Sequence, residues 1–222
     1  MDKEKFVRDY LVELEDVTKR VSQEDICSVM ALLFEAWKSG KQVFVAGNGG
    51  SASTATHFAC DLAKFTAVGD KRRFRAICLN DNIPLVSALT NDLGWENVYY
   101  EQLLNLMNPG DYLVLLSVHG GSGADKAGVW SQNLLKAAKY VQENGGKVIG
   151  FSGFDGGALK QVADACIVAP VNSTPQVEGF HAVLTHLLCD GLRKAIVDGA
   201  NGLDGDHFAT LEACAIVETE NE

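Results

Sequence analysis

Val43-Phe44-Val45-Ala46-Gly47-Asn48-Gly49-Gly50-Ser51-Ala52-Ser53-Thr54-Ala55-Thr56-His57 decides the fold. Four apolar residues run into glycines, and hydroxyl residues follow. The order predicts a buried strand, a tight turn and a helix start. Gly47, Gly49 and Gly50 let the backbone turn sharply and approach a ligand closely. The first turn of a helix carries unpaired N–H groups and a partial positive charge, which suit an anion such as phosphate. The alternative is an ordinary strand-to-helix turn with Ser51 as the cap. The run matches neither the dinucleotide pattern G-x-G-x-x-G nor the P-loop, since no lysine follows the glycines.

Short apolar runs at 42–46, 75–79, 112–116, 147–151 and 166–169 predict five strands. Helical periodicity lies between them at 51–66, 83–91, 96–107, 124–144 and 176–198. This alternation predicts an α/β protein with a doubly wound parallel sheet covered on both faces. Two amphipathic helices precede it at 3–21 and 23–39. The first aligns Phe6, Tyr10, Leu11, Leu14 and Val17 in one stripe, and the second stops at Gly40. Residues 1–198 read as one domain and 199–222 as an acidic tail without periodicity.

The chain has 222 residues, 47% hydrophobic and 22% charged, as in a soluble globular protein. A net charge of −10 argues against general binding to nucleic acid or anionic membranes. No apolar run approaches the roughly 20 residues that span a bilayer. The charged start Met1-Asp2-Lys3-Glu4-Lys5 lacks a signal-peptide core, so a cytoplasmic location is expected. Six scattered cysteines form no C-x-x-C pair and read as buried, reduced thiols.

Ser117-Val118-His119-Gly120-Gly121-Ser122-Gly123 directly follows the 112–116 strand. It is either a second anion cradle on the same sheet edge or a flexible turn. His57 and Asp61 are four apart and share a helix face. Glu178 and His186 are eight apart on one stripe of the late helix. Together they read as a four-donor metal site, an acid/base pair, or plain hydrogen-bonding residues. His181 lies on another part of that helix and is not expected among the ligands. Asp92, in Asn91-Asp92-Leu93-Gly94-Trp95, either caps a helix or reaches sugar hydroxyls.

These motifs resemble the sugar isomerase (SIS) domain family, and within it the phosphoheptose isomerases. The resemblance rests on Ala46-Gly47-Asn48-Gly49-Gly50-Ser51 with His57-Phe58-Ala59, on Thr90-Asn91-Asp92, on Gly153-Phe154-Asp155-Gly156-Gly157, and on the late helix with His181 and His186. It implies a flavodoxin-like fold, a homotetramer, and interconversion of sedoheptulose 7-phosphate with a heptose 7-phosphate. It implies a zinc ion or another divalent metal held by His57, Asp61, Glu178 and His186, with Asp61 and His186 also carrying protons. Ser51 and Asp92 would contact the sugar, Asn48, Gly49 and Gly50 would bind the substrate through the first loop, and Ser117, His119 and Ser122 would face the phosphate. Three departures bear on substrate. Asp61 is one methylene shorter than the family's Glu, Glu178 replaces a neutral Gln, and Val118-His119 stands where the family's second loop carries hydroxyls. DiaA-like relatives, which bind a replication initiator protein, give the alternative of a non-catalytic role.

Overall fold

Val43, Phe44, Val45 and Ala46 are fully buried at the centre of β1 (Gln42–Gly47). The structure, a computed structural model, describes residues 1–121 and 131–200. β1 is joined by β2 (Arg75–Cys78), β3 (Tyr112–Leu116), β4 (Lys147–Gly153) and β5 (Ala165–Ala169) in a sheet of order β2-β1-β3-β4-β5. Every pairing is parallel. This is the flavodoxin-like order, which reverses direction between β1 and β3.

Alternate side chains of β1, β3, β4 and β5 enter two separate cores, while β2 at the edge leaves Arg75 and Ile77 exposed. Val43, Val45, Val114, Leu116 and Phe151 point one way; Phe44, Ala46, Leu113, Leu115 and Val148 point the other. A strand buried on both faces is therefore a continuous apolar run rather than an alternating one. The first core is covered by α1 (Lys3–Arg20), α2 (Gln23–Ser39), α3 (Gly50–Lys64) and α8 (Thr174–Ala200). The second is covered by α4 (Ile83–Leu93), α5 (Val98–Leu106), α6 (Gln132–Glu143) and α7 (Gly157–Val162).

The strand positions agree with the sequence reading to within two residues. Several details differ. The start of the 124–144 helix falls outside the described residues. α7 was not expected: six residues opening on Gly157-Ala158 carry too little periodicity to register. α8 continues to Ala200, past the proposed start of the tail. α1 forms, but of its stripe only Val17 is buried; Phe6 and Leu11 are more than half exposed. Cys78, Cys166 and Cys189 are buried free thiols, whereas Cys60 is free but exposed.

Candidate active site

The two glycine loops leave the sheet side by side. Register pairs Gly47 with Leu116, so Asn48–Ser51 and Ser117–Gly121 both begin at the carboxyl ends of β1 and β3. That is the point where strand order reverses, and it is where open α/β sheets bind ligands.

In the first loop Gly49, at φ 57°, makes the turn into α3. The helix begins at Gly50 with no side-chain cap, so Ser51 is not the N-cap; it lies buried within the first turn. A positive-φ Gly49 does the capping residue's work of redirecting the chain, and it has no side chain to accept from the first N–H groups of α3. Asn48 is committed elsewhere. Its carboxamide pairs reciprocally with that of Asn133, at 3.0 and 2.8 Å.

The second loop is backed by backbone. Ser117 N–H donates to Phe151 O at 2.9 Å, and the N–H groups of Ala158 and Leu159 donate to Gly121 and Gly120 carbonyls. A methyl group on Gly120 would collide with the Gly156 carbonyl, which is why glycine stands there. The His119 ring packs on Phe154 at 4.2 Å between centroids. Ser122 lies outside the described residues. Asp92 is exposed in the last turn of α4 and accepts from Asn91 Nδ2 at 2.7 Å.

α3 and α8 pack against each other, and their facing turns bring three predicted residues together. His57 Nε2 and His186 Nε2 are 2.8 Å apart. Asp61 Oδ2 is 3.3 Å from the first and 3.5 Å from the second. The two imidazoles are more than half exposed, while Asp61 is mostly covered. Two ring nitrogens at this separation must share a proton, or a cation in its place, because two bare lone pairs would repel. Two imidazoles and a carboxylate are donors that suit zinc and similar divalent ions, and the three ligand atoms lie within 4.8 Å of one another. Glu178 is outside this group. Its carboxylate rests at the start of α3, where a methyl group on Gly50 would strike it.

His181 is fully buried on the opposite side of α8. Its Nε2–H donates to the Ser152 carbonyl of β4 at 3.0 Å, and burial pushes its pKa down to about 4. It fastens α8 to the sheet and takes no part in the triad.

Sequence reading missed Asn80, Tyr99 and Asn133, which grip the first loop. Asn80 had a signal, since it sits just past β2 on the ligand edge. Tyr99 and Asn133 lie within helices and carried none.

A flavodoxin-like sheet with two glycine loops at its switch point, and a His–Asp–His cluster where the helix after the first loop meets α8, defines a small-ligand site of the α/β class. A model of the SIS domain matches residues 6–153, and the chain belongs to that family. It is 43% identical over 187 residues to the lincomycin biosynthesis protein LmbN of Streptomyces lincolnensis, across 82% of this chain and 67% of that protein. It is 34% identical over 183 residues to a phosphoheptose isomerase of Geotalea daltonii, across 82% of this chain and 90% of that one. The fold matches the solved phosphoheptose isomerase of Neisseria gonorrhoeae with a TM-score of 0.75, over 86% of this chain and 98% of that one at 24% identity. No described helix is long and apolar enough to cross a membrane.

Proposed function

We propose that this chain is a metal-dependent aldose–ketose isomerase that interconverts sedoheptulose 7-phosphate and a heptose 7-phosphate. The observation that carries the reading is the convergence of His57, Asp61 and His186 from two helices beside the glycine loops. His57, Asp61 and His186 would hold the ion; Glu178, the fourth donor that the family resemblance implies, rests at the start of α3 outside that group. A divalent ion bound there supplies a Lewis acid for the oxyanion that develops on the sugar.

The chain's own groups supply the rest. Both imidazoles approach Asp61 through Oδ2, leaving Oδ1 to move a proton. One of Asp61 and His186 takes the proton from C1 of the ketose and returns it to C2. The other carries a proton from O1 to O2. The enediolate between these steps lacks the C1 proton, which the base holds until C2 takes it, so the isomerisation gains and loses no atoms overall. Ser51 and Asp92 orient the hydroxyl end, and the backbone of Asn48, Gly49 and Gly50 contacts the substrate. Ser117, His119 and Ser122 hold the phosphate end, whose binding energy fixes the reacting carbons in place. The same reading assigns the protein to the cytoplasm as a homotetramer.

Metal analysis of the purified protein, with isomerase assays on sedoheptulose 7-phosphate before and after chelation, tests the reading. Bound metal with chelator-sensitive turnover is expected. Neither metal nor turnover would overturn it in favour of a DiaA-like binding role. A second reading, a different phosphorylated sugar, is favoured by Val118-His119 in the phosphate loop and by the 43% identity to a biosynthesis protein. A panel of ketose phosphates separates the two.

A further inference from the structure

We infer that Asn133 and Tyr99 are positioning residues that set the length of sugar phosphate the site accepts, an inference that rests on the isomerase reading. The Tyr99 hydroxyl donates to the Gly47 carbonyl at 2.5 Å and lies 3.1 Å from Asn48 Oδ1. Asn80 grips the same peptide unit from the other side. Its Oδ1 accepts from Gly47 N–H at 3.2 Å, and its Nδ2 donates to Gly47 O at 3.0 Å and to the Tyr99 oxygen at 2.9 Å. Asn133, almost fully buried at the start of α6, completes the set through its amide pair with Asn48 and accepts from Leu134 N–H at 2.9 Å.

The grip ends where the ligand-facing backbone begins. Gly49 and Gly50 are exposed, and a side chain on Gly49 would meet nothing within 4 Å. The two peptide units before them therefore fix where the free N–H groups point. The start of α6 also reaches the other loop, since Ser131 Oγ is 3.5 Å from Ser117 Oγ. Both ends of a bound sugar phosphate are thus referenced to one helix terminus. Buried polar networks cost desolvation and gain nothing over an apolar core unless every member is paired; here the paired atoms hold a spacing.

A spacing of this kind discriminates by chain length, because misplacement of a reacting group by about 1 Å costs on the order of 100-fold in rate. The test compares kcat/KM for ketose phosphates of five, six and seven carbons in wild type, Asn133→Ala and Tyr99→Phe, with hydrogen exchange on peptides covering 47–51. Wild type should favour one length by about 100-fold, within what substrate positioning supplies. Asn133→Ala should compress that preference at least about 10-fold and speed exchange at 47–51. Tyr99→Phe, which keeps the ring and the fold, should shift both in the same direction by less. A purely structural role would lower all three substrates equally, and that result, or unchanged exchange, overturns the inference. Absence of turnover on every ketose phosphate by wild type would instead remove the isomerase reading, while the exchange comparison still decides the grip.

Discussion

At His186 the chemistry is separable from the fold. Its ring is 60% exposed, so His186→Ala removes the proposed proton carrier and metal ligand without opening a cavity. Turnover should fall by about 10²–10⁴-fold, with a melting curve matching wild type; retained activity in a steady-state assay would reject its role. Two glycines show how local space sets the sign of one substitution. Gly120, at φ 67°, is jammed against the Gly156 carbonyl, and Gly120→Ala should destabilise by more than about 2 kcal/mol. Gly179 sits inside α8 with open space around it, and Gly179→Ala should stabilise by about 0.5–1 kcal/mol. Urea midpoints of the two variants check both. The residue scale is also where the sequence was least explicit. His57 and Asp61 announce themselves by helical spacing, because a single helix face is written locally. That His186 meets them, and that Glu178 rests at Gly50 instead, depends on how α3 and α8 cross.

Among the elements, α8 is tied to the sheet by a histidine that does not titrate in its usual range. Burial holds His181 neutral down to a pKa of about 4, against 6.5 in an open chain. Between those values the unfolded chain takes up a proton that the native state refuses. Stability therefore falls as pH drops from about 6.5 to 4, by roughly 3 kcal/mol in all, and levels off below. Urea unfolding at pH 7 and pH 4.5 reads this slope, and His181→Gln should flatten it. A slope unchanged in the variant would place the acid sensitivity elsewhere. β1, β3, β4 and β5 were legible because burial on both faces writes them as apolar runs. α7 was not, because its start is specified by contact with the Gly120 and Gly121 carbonyls rather than by its own six residues. Tyr99, Asn80 and Asn133 were hidden for a similar reason: polar residues read as surface until their partners are known.

Over the whole molecule, α1 leaves Phe6, Val7, Leu11 and Val12 each more than half exposed, along the flank of a shallow cavity of about 620 Å³. Covering such side chains is worth about 1–2 kcal/mol apiece, and the proposed homotetramer would cover them. Leu11→Glu should shift the sedimentation profile toward smaller species while leaving far-ultraviolet circular dichroism unchanged. A wild-type monomer in that experiment would refute assembly through this face. The His57–His186 contact joins positions 129 apart in the chain. During synthesis β1 and His57 are made more than 100 residues before α8 begins at Thr174. A chain arrested before α8 thus holds most of a scaffold and no working centre. On the proposed function, turnover would begin only when α8 docks, so activity itself would certify that translation had passed that helix.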